Sequence, residues 1–216
     1  MILKLLFALA LFATTPAFAT PFLVDFEKTW DYGNGDVKDY YNGGAAADGT
    51  TGANLGVSFV GVSGLSNDAD FTYYTGAPSM LGIAYAHTLN LGDTAFMNVA
   101  AGVNTGLSFY YSSASAVTGA VKAWSDLNGT GTLLGTFDLA ANDLGNSPIT
   151  QSGAYTIWTP VTLLFSGTAR SFDFTASANV VGLDNISVVP EPAVLWLFGA
   201  GLAVFGAISR RGKAST

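Results

Sequence analysis

The 216-residue chain has no cysteine and a single histidine, His87, and only 11% of its residues are charged. Without cysteine there are no disulfides, thiolate metal sites or cysteine nucleophiles. One histidine excludes a zinc site built from several imidazoles. Eight Lys and Arg stand against fifteen Asp and Glu, so there is no basic face for DNA or RNA. Too little charge is present for the e and g positions of a coiled coil. Too much of the chain, 50%, is hydrophobic for an acidic disordered tail. What the chain has in quantity is glycine, 26 residues, and aromatic rings, 13%. Its length suits one domain with small appendages.

The N-terminal appendage is residues 1–19. Lys4 supplies a positive charge, Leu5 to Phe12 are continuously apolar, and Ala17-Phe18-Ala19 places small residues for signal peptidase, predicting cleavage before Thr20. The apolar run is too short to span a bilayer, and Pro16 ends it. The C-terminal appendage is residues 190–216. Pro190, Glu191 and Pro192 precede sixteen uncharged residues, Ala193 to Ile208, and then Arg210, Arg211 and Lys213. As a helix the sixteen rise about 24 Å, enough to cross a locally thinned membrane. The basic end is then cytoplasmic, and the preceding domain lies on the far side.

Val189-Pro190-Glu191-Pro192, one hydrophobic helix and a terminal Arg cluster resemble, in order and position, the PEP-CTERM sorting signal of Gram-negative surface proteins. The resemblance implies an exosortase partner in the inner membrane, cleavage near Pro-Glu-Pro, and transfer to the cell surface or a biofilm-type exopolysaccharide matrix. The residues alone establish export, anchoring and orientation; an anchor that is never cleaved stays open.

Between the appendages, residues 20–189 carry Lys28, Lys38, Lys122 and Arg170 against fourteen acids, thirteen of them Asp, a net charge of −10. Such a surface disfavours nucleic acid and anionic lipid and suits divalent cations. Short apolar runs rich in Val, Phe, Tyr, Thr and Leu alternate with Gly, Asn and Asp clusters, which predicts strands. They lie at Phe22–Phe26, Leu55–Val60, Ala95–Ala100, Leu107–Ser112, Val121–Trp124, Leu133–Leu139, Val161–Phe165, Ser171–Thr175 and Val180–Val188. In Ser171 to Thr175 the two Phe face one way and the polar residues the other. Strands without intervening helices predict an all-β antiparallel sandwich, a jelly roll, flanked by the signal helix and one C-terminal transmembrane helix. Asn128-Gly129, which also begins a glycosylation sequon, reads as a hairpin turn, since both residues tolerate positive φ.

Catalysis finds little footing. The domain has one Glu, and its Asp residues sit in turn-like contexts, so no acid–base carboxylate pair is nominated. No Gly-x-Ser-x-Gly elbow is present, and His87 reads as structural. The Asp31–Asp36 run lacks EF-hand ligands at its third and fifth positions, where glycines stand. No catalytic residue is assigned, and the chain is expected not to be an enzyme.

Four stretches are similar to a β-sandwich passenger found in many PEP-CTERM proteins: Asp39 to Gly44, Phe96 to Ala100, Gly106 to Tyr111 and Val181 to Ile186. Such domains look like galactose-binding-like and carbohydrate-binding jelly rolls, whose first and last strands pair. That likeness implies a structural calcium ion between those strands, held by Glu27 and Asp184 with carbonyl and loop oxygens. Independently, Trp30, Tyr32, Tyr40, Tyr41, Tyr73 and Tyr74 lie in polar, glycine-rich stretches near Asp31, Asp39, Asn42 and Asp70, a mixture suited to stacking on and bonding a saccharide. For any single ring of this set, core or edge packing is a commoner role than ligand contact. Two readings remain, a non-catalytic exopolysaccharide-binding module and a structural or adhesion protein that binds no sugar, with a polysaccharide-active enzyme a distant third.

Overall fold

The computed structural model describes residues 21–88, 90, 92–143 and 155–189. The expected signal, residues 1–19, and sorting tail, residues 190–216, lie outside the described residues. Eleven strands follow in order: β1 (Leu23–Val24), β2 (Val57–Val60), β3 (Val62–Leu65), β4 (Ile83–Ala86), β5 (Phe96–Val103), β6 (Gly106–Ser113), β7 (Val117–Trp124), β8 (Leu133–Leu139), β9 (Thr159–Leu164), β10 (Ala169–Asp173) and β11 (Val181–Val188). The remaining regular structure is three short 3-10 turns. Among the described residues no helix is long and apolar enough to cross a membrane.

The strands form two antiparallel sheets. One runs β3-β4-β11-β6-β9, with β1 also paired to β11; the other runs β2-β5-β10-β7-β8. The first and last strands therefore meet, Leu23 opposite Ser187 and Val24 opposite Ile186. The core between the sheets holds Phe26, Phe59, Met97, Leu107, Phe109, Phe172, Phe174 and Ile186. Rings such as Phe109 and Phe174, edge-on at 6.1 Å, give it dense packing.

All nine strand stretches expected from the sequence are occupied by strands, with ends shifted by a few residues. The sequence reading missed β3 and β4. Every residue of both is buried, so neither shows the alternation of a half-exposed strand. Val62, Ala84 and Ala86 face the inter-sheet core, whereas Leu65, Ile83 and Tyr85 belong to a second apolar cluster with Tyr73, Tyr74 and Tyr155. That cluster covers the outer face of the first sheet.

The expected alternation over residues 171–175 holds, and its polar face is itself covered at Ser171. Phe172 and Phe174 are buried as anticipated, but so is Ser171. Its hydroxyl donates to Asp126 O at 2.6 Å and accepts from Gly129 N–H at 2.9 Å, because the β7–β8 turn folds over it. In that turn Asn128 and Gly129 have φ of 56° and 67°. Asn128 exchanges two 2.8 Å bonds with the Asn98 side chain, which docks the turn onto β5.

Candidate functional site

A cleft of about 530 Å³ opens where the chain crosses between sheets at one end of the sandwich; its walls include Tyr32, Asn34, Asp36, Ser63, His87, Asp93 and Thr94. The first wall is a turn. Asp31 is extended, and its carboxylate accepts Gly33 N–H at 3.1 Å, starting the 3-10 turn Tyr32–Asn34. Gly35 follows against the backbone: a Cβ there would lie 2.7 Å from Gly64 O. Val37 N–H then donates to Val62 O at 3.0 Å, so residues 35–37 run along β3. The second wall is set at Gly61, between β2 and β3, with φ of 59° and room for no Cβ, which would sit 2.1 Å from Thr94 O. His87 N–H donates to Gly61 O at 2.8 Å and ends β4 at the cleft.

The six aromatic residues nominated from sequence part company here. Tyr32 is 51% exposed and lines the cleft. Tyr73, although buried, carries the Tyr32 ring on its own, centroids 5.6 Å apart and planes 5° apart. Phe71, 45% exposed and absent from the sequence nomination, stacks on Tyr73 at 5.6 Å. The side chain of Asn67 holds this ladder in place by accepting Tyr73 N–H at 2.7 Å and Tyr74 N–H at 3.1 Å.

The other rings are committed to packing. Trp30 is buried with its ring against Gly64, where a Cβ would be 2.1 Å away, and its Nε1–H donates to Phe26 O at 2.9 Å. The Lys28 ammonium, paired with Asp48, lies 4.3 Å above the indole. Tyr40 is half-buried, edge-on to Trp30 and Tyr41. Tyr41 is buried, donates to Asp25, and has its phenol pushed up by burial and then by the Asp25 charge. Tyr74 is buried, donates to Met80 O, and is pushed up to about 12 by burial, then by Asp184 and Glu27. Trp30, Tyr41 and Tyr74 are therefore closed in by packing, Tyr40 is partly covered, and Tyr32 is the most exposed of the nominated rings.

Glu27 and Asp184, nominated for calcium, are brought to one loop. Asp184 Oδ2 accepts Ser79 N–H at 2.7 Å and its Oδ1 accepts Asn185 N–H at 2.7 Å. Glu27 accepts Met80 N–H at 2.8 Å and Leu81 N–H at 3.1 Å. A β-bulge creates the arrangement: the β11–β6 register shifts between Asp184 and Ser187, and Asn185 takes φ of 49°. Leu183 and Ile186 can then both enter the core while Asp184 points away from it. Burial, and then the Glu27 charge, push the Asp184 carboxyl up to about 6 against the opposing pull of the Ser79 and Asn185 bonds. The donor type suits calcium, but two carboxylates and the Asn185 amide oxygen fall short of six oxygens. Among the described residues no three acidic or histidine side chains converge on a metal position.

The cleft also joins a Ser, a His and an Asp that the sequence reading did not link. Ser63 Oγ donates to Asp36 Oδ1 at 2.7 Å and lies 3.3 Å from His87 Nδ1. Serine is the central member. In a nucleophilic triad the imidazole must sit between hydroxyl and carboxylate, taking the proton from one and being oriented by the other. Here the buried Ser63 hydroxyl is already spent on a carboxylate. The sequence signal for this group is faint, one Ser among several in an apolar run and an Asp 27 residues earlier in a glycine turn.

Residues 188–211 match the PEP-CTERM protein-sorting motif, so the chain carries a C-terminal sorting signal and is an exported protein. The motif begins inside the sheet: Val188 pairs with Leu107, and Val189 N–H donates to Gly106 O at 3.0 Å. None of the curated proteins matches the chain. Among solved structures the chain is similar to the K2 cleaved adhesin domain of Lys-gingipain, at 17% identity over 79% of this chain and 98% of that one, with a TM-score of 0.46. It is similar to a family 29 carbohydrate-binding module at 11% identity, 79% and 92% coverage and a TM-score of 0.40. The C-terminal CBM6 of LamC from Zobellia galactanivorans gives 13% identity, 62% and 99% coverage and a TM-score of 0.36.

Proposed function

We propose that this exported protein is processed by an exosortase at Pro190-Glu191-Pro192, with Arg210 and Arg211 halting the tail, and is released to the surface or exopolysaccharide matrix of a Gram-negative cell. Its sandwich, with connections that repeatedly change sheets as in a jelly roll, acts there as a non-catalytic carbohydrate-binding module. One observation carries the binding reading: the half-exposed Tyr32 ring, backed by Tyr73, forms a wall of a polar cleft. A sugar face stacks on such a ring while neighbouring carboxylates and hydroxyls bond its edge. The spent Ser63 hydroxyl argues against a serine nucleophile in the cleft.

A calcium ion at Glu27 and Asp184 belongs to the same proposal. A cation between the two carboxylates would relieve their mutual repulsion, with carbonyl and water oxygens completing its shell. Titration of the full-length chain, held in mild detergent, with the host's own exopolysaccharide tests the module. Saturable binding lost in Tyr32→Ala is expected; absence of binding, with and without calcium, rejects it.

A further inference from the structure

We infer that the cleft selects saccharides bearing free amino groups, hexosamines in the unacetylated ammonium form, over acetylated and uronic sugars. The inference rests on the carbohydrate-binding reading and adds the ligand's charge class. Two carboxylates, Asp36 and Asp93, line the cleft, and among the described residues its lining includes the one imidazole of His87 and no Lys or Arg. Asp36 reaches the cleft from the glycine turn and spends one oxygen on Ser63. Asp93 reaches it from the loop before β5, where its carboxylate also accepts Asn90 N–H at 2.7 Å. Lys28 is withdrawn from the surface field by Asp48, Thr50 and the Trp30 ring.

Acid–aromatic geometry, not acidity alone, defines the ligand. Tyr32 lines the same cavity with its ring half open, so a pyranose face against it brings ring substituents toward the carboxylates. An ammonium substituent gains a charge-assisted bond there, whereas a carboxylate substituent meets like charge in a concave site that focuses the field. Acetylation removes the positive charge and leaves only the neutral stacking and hydrogen bonds.

The test uses the full-length chain in mild detergent with four probes of equal length: a glucosamine tetramer, an N-acetylglucosamine tetramer, a galacturonate tetramer and tetralysine. Calorimetry at mildly acid pH and low salt is expected to give about tenfold tighter binding for glucosamine than for its acetylated form, and none for galacturonate. High salt narrows that preference, as does Asp93→Asn, while Tyr32→Ala removes binding of both glucosamine forms. Equal affinity for the amine and acetylated tetramers overturns the charge preference and leaves the module standing. Tetralysine binding as tightly as glucosamine, unaffected by Tyr32→Ala, overturns it in favour of surface charge alone. Failure of every sugar tetramer to bind overturns the amine preference, and titration with the host's exopolysaccharide then decides the module reading by itself.

Discussion

Tyr32 and Tyr73 lie ring upon ring, 5.6 Å apart and 5° from parallel, yet Tyr32 is 51% exposed and Tyr73 only 5%. In the proposed module the exposed ring is the binding surface and the buried one its foundation. Tyr73→Ala removes a buried aromatic and is expected to cost about 3–5 kcal/mol of stability. Tyr32→Ala is expected to cost less than about 1 kcal/mol while abolishing saccharide binding. Chemical denaturation alongside calorimetry separates the two, and equal destabilisation would deny Tyr32 its surface role.

Gly61 is the hinge of the cleft. Alanine there needs φ of 59° and places its Cβ 2.1 Å from Thr94 O, so β2, β3 and the 92–94 wall cannot all stay in place. Gly61→Ala is expected to lose more than about 1 kcal/mol and to weaken binding as well. Gly49→Ala, also at positive φ but with open space around it, is the control: strain without displacement of the cleft. A melt and a binding isotherm for each variant settle the comparison.

Two buried carboxylates make stability depend on pH with opposite signs. Between 3.8 and about 6 the folded chain keeps on Asp184 a proton that the unfolded chain has released. Stability therefore falls as pH rises through that window, by on the order of 3 kcal/mol. Burial would also raise the Asp143 carboxyl, but bonds from the Thr156 N–H and hydroxyl, Ile157 N–H and Ser112 hydroxyl outweigh it and hold it below its usual value. Asp143 stabilises above the ordinary Asp range, and that contribution is lost as pH falls through its lowered value. Urea midpoints across the acid range should show both slopes, with Asp184→Asn flattening the higher one.

Calcium gives a further readout at the same residue. If Glu27 and Asp184 hold the ion, adding calcium at neutral pH raises the melting temperature and chelator reverses it. Neither change should occur in Asp184→Asn. A wild-type melting curve indifferent to calcium and chelator rejects the site.

The last strand limits how far a truncation can reach from the C-terminus. Because β11 pairs with β1, β4 and β6, a chain ending at Val180 should not fold. One ending at Val189 keeps every strand pair of the described residues, and its melting temperature should match that of the longer chain. A lower value for the Val189 chain would place part of the folding unit in residues 190–216.

Much of this was legible in the residues. Half-exposed strands such as β8 declare themselves by composition and alternation, and Asn128-Gly129 declares its turn, because both signals are local backbone and solvent effects. Strands β3 and β4 were not legible. Burial on both faces erases alternation, and what buries their outer face arrives from residues 66–82 and 155–158. The exposure of the nominated rings was not legible for a related reason: an aromatic residue in a polar stretch has the same sequence context whether a loop closes over it, as at Tyr74, or leaves it open, as at Tyr32.

Export, an acidic cysteine-free surface and an all-β domain were determined by the sequence itself, since charge, hydrophobic length and strand period are properties of contiguous residues. The partnership of Asp36 with Ser63 and His87, the Tyr32–Tyr73 stack and the meeting of Glu27 with Asp184 at one loop were decided by tertiary structure alone. Each joins residues more than twenty positions apart, and only the crossing between sheets at Gly61 and the bulge at Asn185 within β11 fix which of them come within bonding distance.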